Sequence, residues 1–357
     1  MNRLTLLVDS NWLTISRMSV LIKGFEKTNP DIVKQQSSLE FKELMARSIN
    51  VILNRFPEID NIILVSDGGS WRKQLPIPKQ LNDITYKGNR GEQKELDWDY
   101  IWGALSELLK NCKDLGITCT QHNSIEGDDW IWYWSRRLNS QGTHCMIWSS
   151  DNDLKQLVQV DKDTNAFTVW YNDKNGLFLP SSLNKPFDDL EFFMRPEYIS
   201  HTLESLKRKS KTVDYVDPND IILSKIFCGD SGDNIKSVVR YIKGTRTYRF
   251  TEKDFNILSN DLNIGTIDDL LNNYSNCSEY ISSLDKYKDY DISSENVNEM
   301  LIYNTKLVWL NESVIPEPII QAMNQENYNE YDISYLRSNF KILIGEDDNI
   351  KNIFESL

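Results

Sequence analysis

Three short apolar runs each end on an aspartate: Leu4 to Val8 at Asp9, Ile62 to Ser66 at Asp67, and Cys145 to Ser150 at Asp151. Runs this short, rich in β-branched and large apolar residues, predict strands buried on both faces, the pattern of a parallel sheet. Ligands of such sheets bind beyond the carboxyl ends of the strands. Three carboxylates are therefore expected to share one crevice. Like charges held that close persist only when protonated or matched by cations. A divalent-metal site is the simplest expectation.

Further acids enlarge the cluster. Glu126, Asp128 and Asp129 open a helix after the strand-like Ile117 to Thr120. One acid in a first helical turn would mean little, because the macrodipole favours it. Three within four residues exceed that explanation. Asp153 follows Asp151 by two positions, and Gly229 to Asn234 supplies Asp230 and Asp233. An oxygen-only set of this charge suits Mg²⁺ or Mn²⁺. Zinc is disfavoured, since the three histidines are scattered (His122, His144, His201) and no Cys-x-x-Cys pair occurs. No window has the spacing of an EF-hand loop.

With 357 residues, the chain is long enough for two domains. No apolar run reaches the roughly 18 residues of a membrane span. Its start passes straight into a strand without a signal-peptide pattern, which predicts a soluble, intracellular protein. Five cysteines form no paired framework and are expected to be reduced core residues. The net charge of −13 argues against a uniformly basic nucleic-acid-binding domain. Local basic clusters nevertheless occur: Arg72, Lys73, Lys79, Lys87, Arg90 and Lys94; Lys207, Arg208, Lys209 and Lys211; and Lys236, Arg240, Lys243, Arg246 and Arg249. Any one of them alone is more often a solvated face.

Strand-like and helix-like segments alternate over the first 170 or so residues, which predicts a parallel α/β domain. Helices are expected over 39–55 and over 100–110, the latter with Ile101, Leu105, Leu108 and Leu109 on one face. The pattern breaks between 68 and 97, where Gly68-Gly69, two prolines and many charges predict a mobile loop or arch. Trp130, Trp132 and Trp134 could stack on bases, but at that spacing in an apolar helix they read as core. Beyond Pro218 the chain reads as mainly helical. The expected division is an α/β domain over 1–190 and a helical domain over 191–357, with polar linkers at 172–176 and 205–211.

These motifs fall in one order: Val8-Asp9-Ser10-Asn11, Tyr86-Lys87-Gly88-Asn89-Arg90, Glu126-Gly127-Asp128-Asp129, Ser149-Ser150-Asp151-Asn152-Asp153-Leu154 and Gly229-Asp230-Ser231-Gly232-Asp233-Asn234. In order and spacing the chain resembles the 5′-nuclease superfamily of flap endonucleases and 5′-3′ exonucleases. Ser70-Trp71-Arg72, Gly91 and Asp97-Trp98-Asp99 make it most similar to the T4-type phage ribonuclease H branch. The resemblance implies a PIN-like nuclease domain followed by a helix–hairpin–helix element. It implies metal ligation by Asp9, Asp67, Glu126, Asp128, Asp151 and Asp153, with Asp230 and Asp233 serving a second ion. Asp129 matches the last acid of the family's Glu-Ala-Asp-Asp motif and would support those ligands. Lys87 and Arg90 match the basic pair that approaches the scissile phosphate. Arg72, Lys73, Lys94, Lys207, Arg208, Lys209, Lys236, Arg240, Lys243 and Arg246 are the candidate nucleic-acid contacts, and K⁺ is expected near the hairpin.

Two positions depart from the family. Gly127 replaces the usual alanine, which costs helix propensity but removes no ligand. The glycine-rich hairpin is absent, with Lys236-Ser237-Val238-Val239-Arg240 in its place and only Gly244 nearby.

The expected activity is Mg²⁺-dependent 5′-3′ exonuclease and flap endonuclease cleavage of RNA–DNA and DNA–DNA duplexes. Two ions about 4 Å apart would activate water and assist the leaving oxygen. The expected setting is RNA primer removal in phage replication, in the host cytoplasm. Expected partners are nicked or branched duplex DNA, RNA–DNA hybrid, a single-stranded-DNA-binding protein or a polymerase clamp. No membrane is expected, and a monomer is favoured. The alternatives are a catalytically silent structure-specific DNA-binding protein and, more remotely, a toxin-like ribonuclease.

Overall fold

The computed structural model describes residues 3–25, 30–81, 84–89, 98–184, 196–243, 245–287 and 292–345, without the side chains of 20–39, 196–200, 242, 243 and 246. The chain divides into two compact units. One comprises Met1–Gly69, Lys94–Val216 and Gln321–Leu357, the other Ser70–Gln93 and Asp217–Ile320. A single cut near residue 190 is therefore corrected, because each unit is assembled from separated stretches.

The first unit is built on β1 (Leu4–Asp9), α1 (Ser10–Phe25), α2 (Pro30–Arg55), β2 (Ile59–Val65), α3 (Trp98–Asp114), β3 (Thr118–Thr120), α4 (Gly127–Ser140) and β4 (His144–Trp148). Short strands β5 (Gln159–Val160), β6 (Phe167–Asn172) and β7 (Gly176–Pro180) follow, then α5 (Pro196–Lys209) and β8 (Val213–Val216). The sheet has eight strands in the order β3-β2-β1-β4-β6-β7-β8, with β5 on β6. Strands β3, β2, β1, β4 and β6 run parallel to one another. Strands β5 and β7 pair antiparallel with β6, and β8 pairs parallel with β7.

Burial accounts for the parallel core. Every β4 residue and the first five of β1 are buried, as continuous apolar strands between two helical layers must be. Helix α3 buries Ile101, Leu105, Leu108 and Leu109, the face expected from the periodicity. Trp130, Trp132 and Trp134 of α4 are buried and are core residues. Two linker expectations fail: Asn172 and Gly176 pair across a β-hairpin, and 205–209 close α5.

The end of the chain returns to this unit. Ile333, Leu336 and Ile342 to Ile344 belong to its core. The Asn61 amide donates to Tyr328 Oη at 2.6 Å, and the Asn329 amide donates to Thr118 Oγ1 at 2.9 Å. Residues 328 and 329 thereby tie together β2 and β3.

The second unit is mainly helical, with α6 (Pro218–Cys228), a hairpin of β9 (Arg240–Lys243) and β10 (Arg246–Arg249), α7 (Glu252–Leu262), α8 (Ile267–Asn272), α9 (Tyr274–Ser283) and α10 (Ser294–Val308). Its core gathers Phe227, Phe250, Phe255, Leu301 and Leu307. Leu81 and Tyr86 join that core, and Trp71 is buried. Residues 70–81 are thus not a free loop, because Trp71, Leu75 and Leu81 pack.

Candidate active-site residues

The acids of the first unit share one local design, a strand end that becomes a helix cap. Asp9 closes β1 and accepts the Trp12 amide at 2.9 Å in the first turn of α1. Asp151 follows β4, caps the 3₁₀ turn Asn152–Leu157 and accepts the Asp153 amide at 2.9 Å. Glu126 caps α4 in a capping box with Asp129. Capping is a structural duty worth about 1 kcal/mol, and it also aims each carboxylate at the carboxyl end of the sheet.

Neutral donors link these acids. The Ser149 hydroxyl donates to Asp9 Oδ2 at 2.7 Å and accepts the Asp151 amide at 3.0 Å. Asp67 accepts the Asn11 side-chain amide at 3.1 Å and the Gly127 backbone amide at 2.5 Å. Asn11 Oδ1 in turn accepts the Ser66 hydroxyl and the Asp67 amide. Ser149 and Asn11 had no role assigned from sequence. Their signal was proximity to the motif acids, and only the parallel register of β1 with β2 and β4 brings them across.

Glycines make the arrangement possible. A Cβ at Gly68 would meet the His122 carbonyl oxygen at 2.2 Å, and one at Gly69 the Asn123 oxygen at 1.9 Å. The chain leaving Asp67 therefore runs against the backbone that leads into Glu126. A Cβ at Gly127 would sit 3.0 Å from Asp67 Oδ1, which gives this departure from the family a local reason.

Burial pushes the Asp9 carboxyl up to about 7, and the charges of Asp67 and Asp151 add to that shift. Among the described residues no ion pair engages Asp9 or Asp151. No three acids, histidines or cysteines among the described residues close into a finished metal-binding group. The donor set still fits a hard divalent cation. It is all oxygen, mutually repelling and spread, and Mg²⁺ keeps several waters while taking only one or two carboxylates directly.

In the second unit, the Gly-Asp motif forms a tight loop closed by paired backbone bonds between Asp230 and Ile235. Burial opposes ionisation of Asp230, but the hydrogen bond and charge of Lys225, 2.5 Å away, outweigh it and hold the carboxyl below its ordinary range. Buried Asn304 anchors the surrounding chain by donating to the Ile226 and Lys236 carbonyls, both at 2.8 Å. Lys87 lies in a turn docked on this loop. Its amide donates to the Asp233 carbonyl at 2.8 Å, and its ammonium lies 3.9 Å from the Asp233 carboxylate. Asn234 donates to the Thr85 carbonyl at 2.8 Å and Asn89 to that of Ser231 at 2.9 Å. Lys87 itself adopts φ 56°, a left-handed conformation that costs a non-glycine residue about 1–2 kcal/mol and is held by these bonds.

One basic candidate is corrected. Arg72 is buried, stacks on Trp71 and donates to the Leu307 carbonyl at 3.1 Å, so its guanidinium serves packing. Lys207 pairs with Glu204 and Lys209 with Glu58. Lys73, Arg208 and Arg240 are exposed, and Lys236 is half-buried. Arg90, Lys94, Gly91, Asp97 and Gly244 lie outside the described residues, as do the side chains of Lys243 and Arg246.

Asp128 is half-buried in the first turn of α4, and Asp153 is half-buried behind Asp151. The fold and these acids define an α/β protein with carboxylates along the carboxyl edge of a mostly parallel sheet. No family model matches the chain. A 5′-3′ exonuclease of Buchnera aphidicola is 24% identical over 219 residues, 61% of this chain and 61% of that protein. A 5′-3′ exonuclease of Mycoplasmopsis pulmonis is 24% identical over 315 residues, 84% of each chain. The chain thus spans under two thirds of the first relative and most of the second. The bacteriophage T5 D15 flap endonuclease, solved as a pseudo-enzyme–product complex with DNA and metal ions, has a TM-score of 0.52 at 17% identity, covering 96% of this chain and 100% of that one. The chain is thus similar in sequence to two 5′-3′ exonucleases and shares the fold of the flap endonuclease.

Proposed function

We propose that this chain is a divalent-metal-dependent 5′-nuclease that hydrolyses phosphodiester bonds from the 5′ end of nicked or branched duplexes. The carrying observation is that Asp9, Asp67, Glu126 and Asp151 leave the same end of one parallel sheet and are cross-linked by Ser149, Asn11 and the Gly127 amide. Asp9, Asp67, Glu126, Asp128, Asp151 and Asp153 would hold Mg²⁺ or Mn²⁺, with Asp129 fixing the backbone at Glu126. The part of Asp230 and Asp233 in metal binding rests on the sequence motif alone. Bound Mg²⁺ supplies an activated water and neutralises charge on the phosphate. Lys87 and Arg90 are proposed to stabilise the phosphate in the transition state.

The substrate reading is RNA–DNA and DNA–DNA duplex, with RNA primer removal in phage replication as the setting, following the likeness to the phage ribonuclease H branch. Host cytoplasm, a monomeric state, a single-stranded-DNA-binding protein or clamp as partner and K⁺ near the hairpin belong to the same proposal. No described helix is long and apolar enough to cross a membrane.

The test is a nicked duplex carrying a 5′-labelled RNA primer, incubated with Mg²⁺ or EDTA, alongside Asp151→Asn. Short 5′ products that need Mg²⁺ and vanish in the variant are expected; wild-type cleavage by Asp151→Asn sinks the metal assignment. The alternative reading is a catalytically silent structure-specific DNA-binding protein of the same fold. That reading predicts duplex binding without cleavage in any metal.

A further inference from the structure

The 3₁₀ turn Asn152–Leu157 has Asp151 as its N-cap and carries Asp153 near its start. A 3₁₀ helix repeats every three residues, so residues three apart share an edge. Leu154 and Leu157 are buried on one edge, and Gln156 is buried on the edge it shares with Asp153. Asn152 and Lys155 form the third edge, where Asn152 is exposed and Lys155 half-buried. That edge has no apolar residue to anchor it.

Lys155 takes that place. Its ammonium lies 3.6 Å from the centre of the Phe178 ring and 4.6 Å from that of Trp170. The two rings are direct cross-strand partners on β7 and β6, set edge to face at 5.1 Å. Trp170 is itself fully buried, and β6 pairs with β4, the strand that leads into Asp151. The contact therefore ties the outer edge of the turn to the same sheet that fixes its start. Hydrogen-bond geometry is poorer in a 3₁₀ turn than in an α-helix, so its aim depends on such ties.

The place of this cation is chemically informative. Lys155 follows Asp153 by two residues and Asp151 by four, in a region of mutually repelling acids. An ammonium on a flexible four-carbon stem can ordinarily turn to such carboxylates and neutralise one. Among the described residues no ion pair engages Lys155. Ring faces attract a cation through their quadrupole, so they hold the ammonium without consuming a carboxylate. We propose that Lys155 is a positioning residue. Caged on Trp170 and Phe178, it fixes the roll of the 152–157 turn, so that Asp151 and Asp153 stay aimed at a divalent cation that Lys155 itself does not displace. The cation rests on the nuclease reading; the cage does not.

The test compares two full-chain variants with wild type. Lys155→Met keeps an unbranched stem that packs well on rings but lacks the charge; Lys155→Arg restores a cation. One readout is hydrogen exchange in EDTA at the Asp153 and Val158 amides, which donate to Asp151 Oδ1 at 2.9 Å and to the Lys155 carbonyl at 3.2 Å. The other is affinity for the first Mn²⁺, read from the electron paramagnetic resonance of the free ion without nucleic acid. Lys155→Met is expected to exchange the two amides roughly fivefold faster or more and to bind Mn²⁺ roughly tenfold more weakly, with Tm in EDTA close to wild type. Lys155→Arg is expected to recover most of both. Wild-type exchange and Mn²⁺ affinity in Lys155→Met overturn the inference and leave the metal reading standing. Faster exchange throughout the first unit overturns it too, since Lys155 is then a general stability residue. Equal losses in Lys155→Arg assign the effect to shape rather than charge and likewise overturn it. If wild type binds no Mn²⁺ while the two amides still loosen in Lys155→Met, the cage stands and the metal reading falls.

Discussion

Two aspartates, one in each unit, close comparable turns and meet opposite electrostatic fates. Asp9 in the first unit is held by a hydroxyl and an amide, and its carboxyl rises to about 7 through burial and the neighbouring acids. Asp230 in the second unit is half-buried, and Lys225 holds it below the ordinary range. Among the described residues the first has no ion-pair partner; the second has Lys225. Identical motif letters therefore describe two kinds of site, and only the partners across the fold tell them apart.

The largest expected effect separates the two directly. Asp151→Asn should cut cleavage by more than about a hundredfold, because even the outer partners of a metal ligand matter by ~10–100-fold. Its Tm in EDTA should not fall, since asparagine keeps the cap and removes one repelling charge. A large loss of Tm would show that Asp151 is structural.

Next in size is a pH effect inside the first unit. Burial lowers the His144 imidazole to about 4 from an ordinary 6.5. The folded value lies below the unfolded one, so the unfolded chain takes up a proton first as pH falls. Stability is expected to be full above pH ~6.5 and to drop by about 3 kcal/mol toward pH 4. Denaturant titrations between pH 7 and 4.5 should show that loss, and His144→Phe should flatten it.

Asp230→Asn provides the converse of Asp151→Asn. It removes the carboxylate that pairs with the half-buried Lys225 ammonium and should lower stability by about 1 kcal/mol, between the values for exposed and buried pairs. An unchanged unfolding midpoint would erase the contrast between the units. The smallest effect should come from Asn234→Ala, which loosens the turn that carries Lys87. Single-turnover cleavage should slow roughly threefold with duplex affinity intact, as expected for a misplaced group. Equal loss in both would make Asn234 a binding residue.

Much of the first unit was legible because its signals are local. Apolar runs ending at Asp9, Asp67 and Asp151 announce strands, and the spacing of Ile101, Leu105 and Leu108 announces α3. The acid clusters were legible for the same reason. What escaped depends on distant partners. Arg72 reads as one more charge in a polar stretch, and only the Leu307 carbonyl, 235 positions away, makes it a buried packing residue. Lys225 was passed over because it sits inside an apolar helical run, and its proximity to Asp230 depends on the loop that closes back through Ile235. The assignment of 70–93 to the second unit and of 321–357 to the first escaped because no local composition marks such crossings.

The return of the last segment bears on how the molecule is made. Ile333, Leu336 and Ile342 to Ile344 complete a core begun by Leu4 and Leu6, and the Tyr328 and Asn329 bonds tie β2 to β3. During synthesis the strand ends that carry Asp9, Asp67 and Asp151 emerge long before those residues do. Contacts so distant along the chain close late and slowly. The ribosome therefore releases the first unit's acids onto an unfinished core, and a chain cut short before residue 328 would carry all of these acids without the packing that aligns their strands.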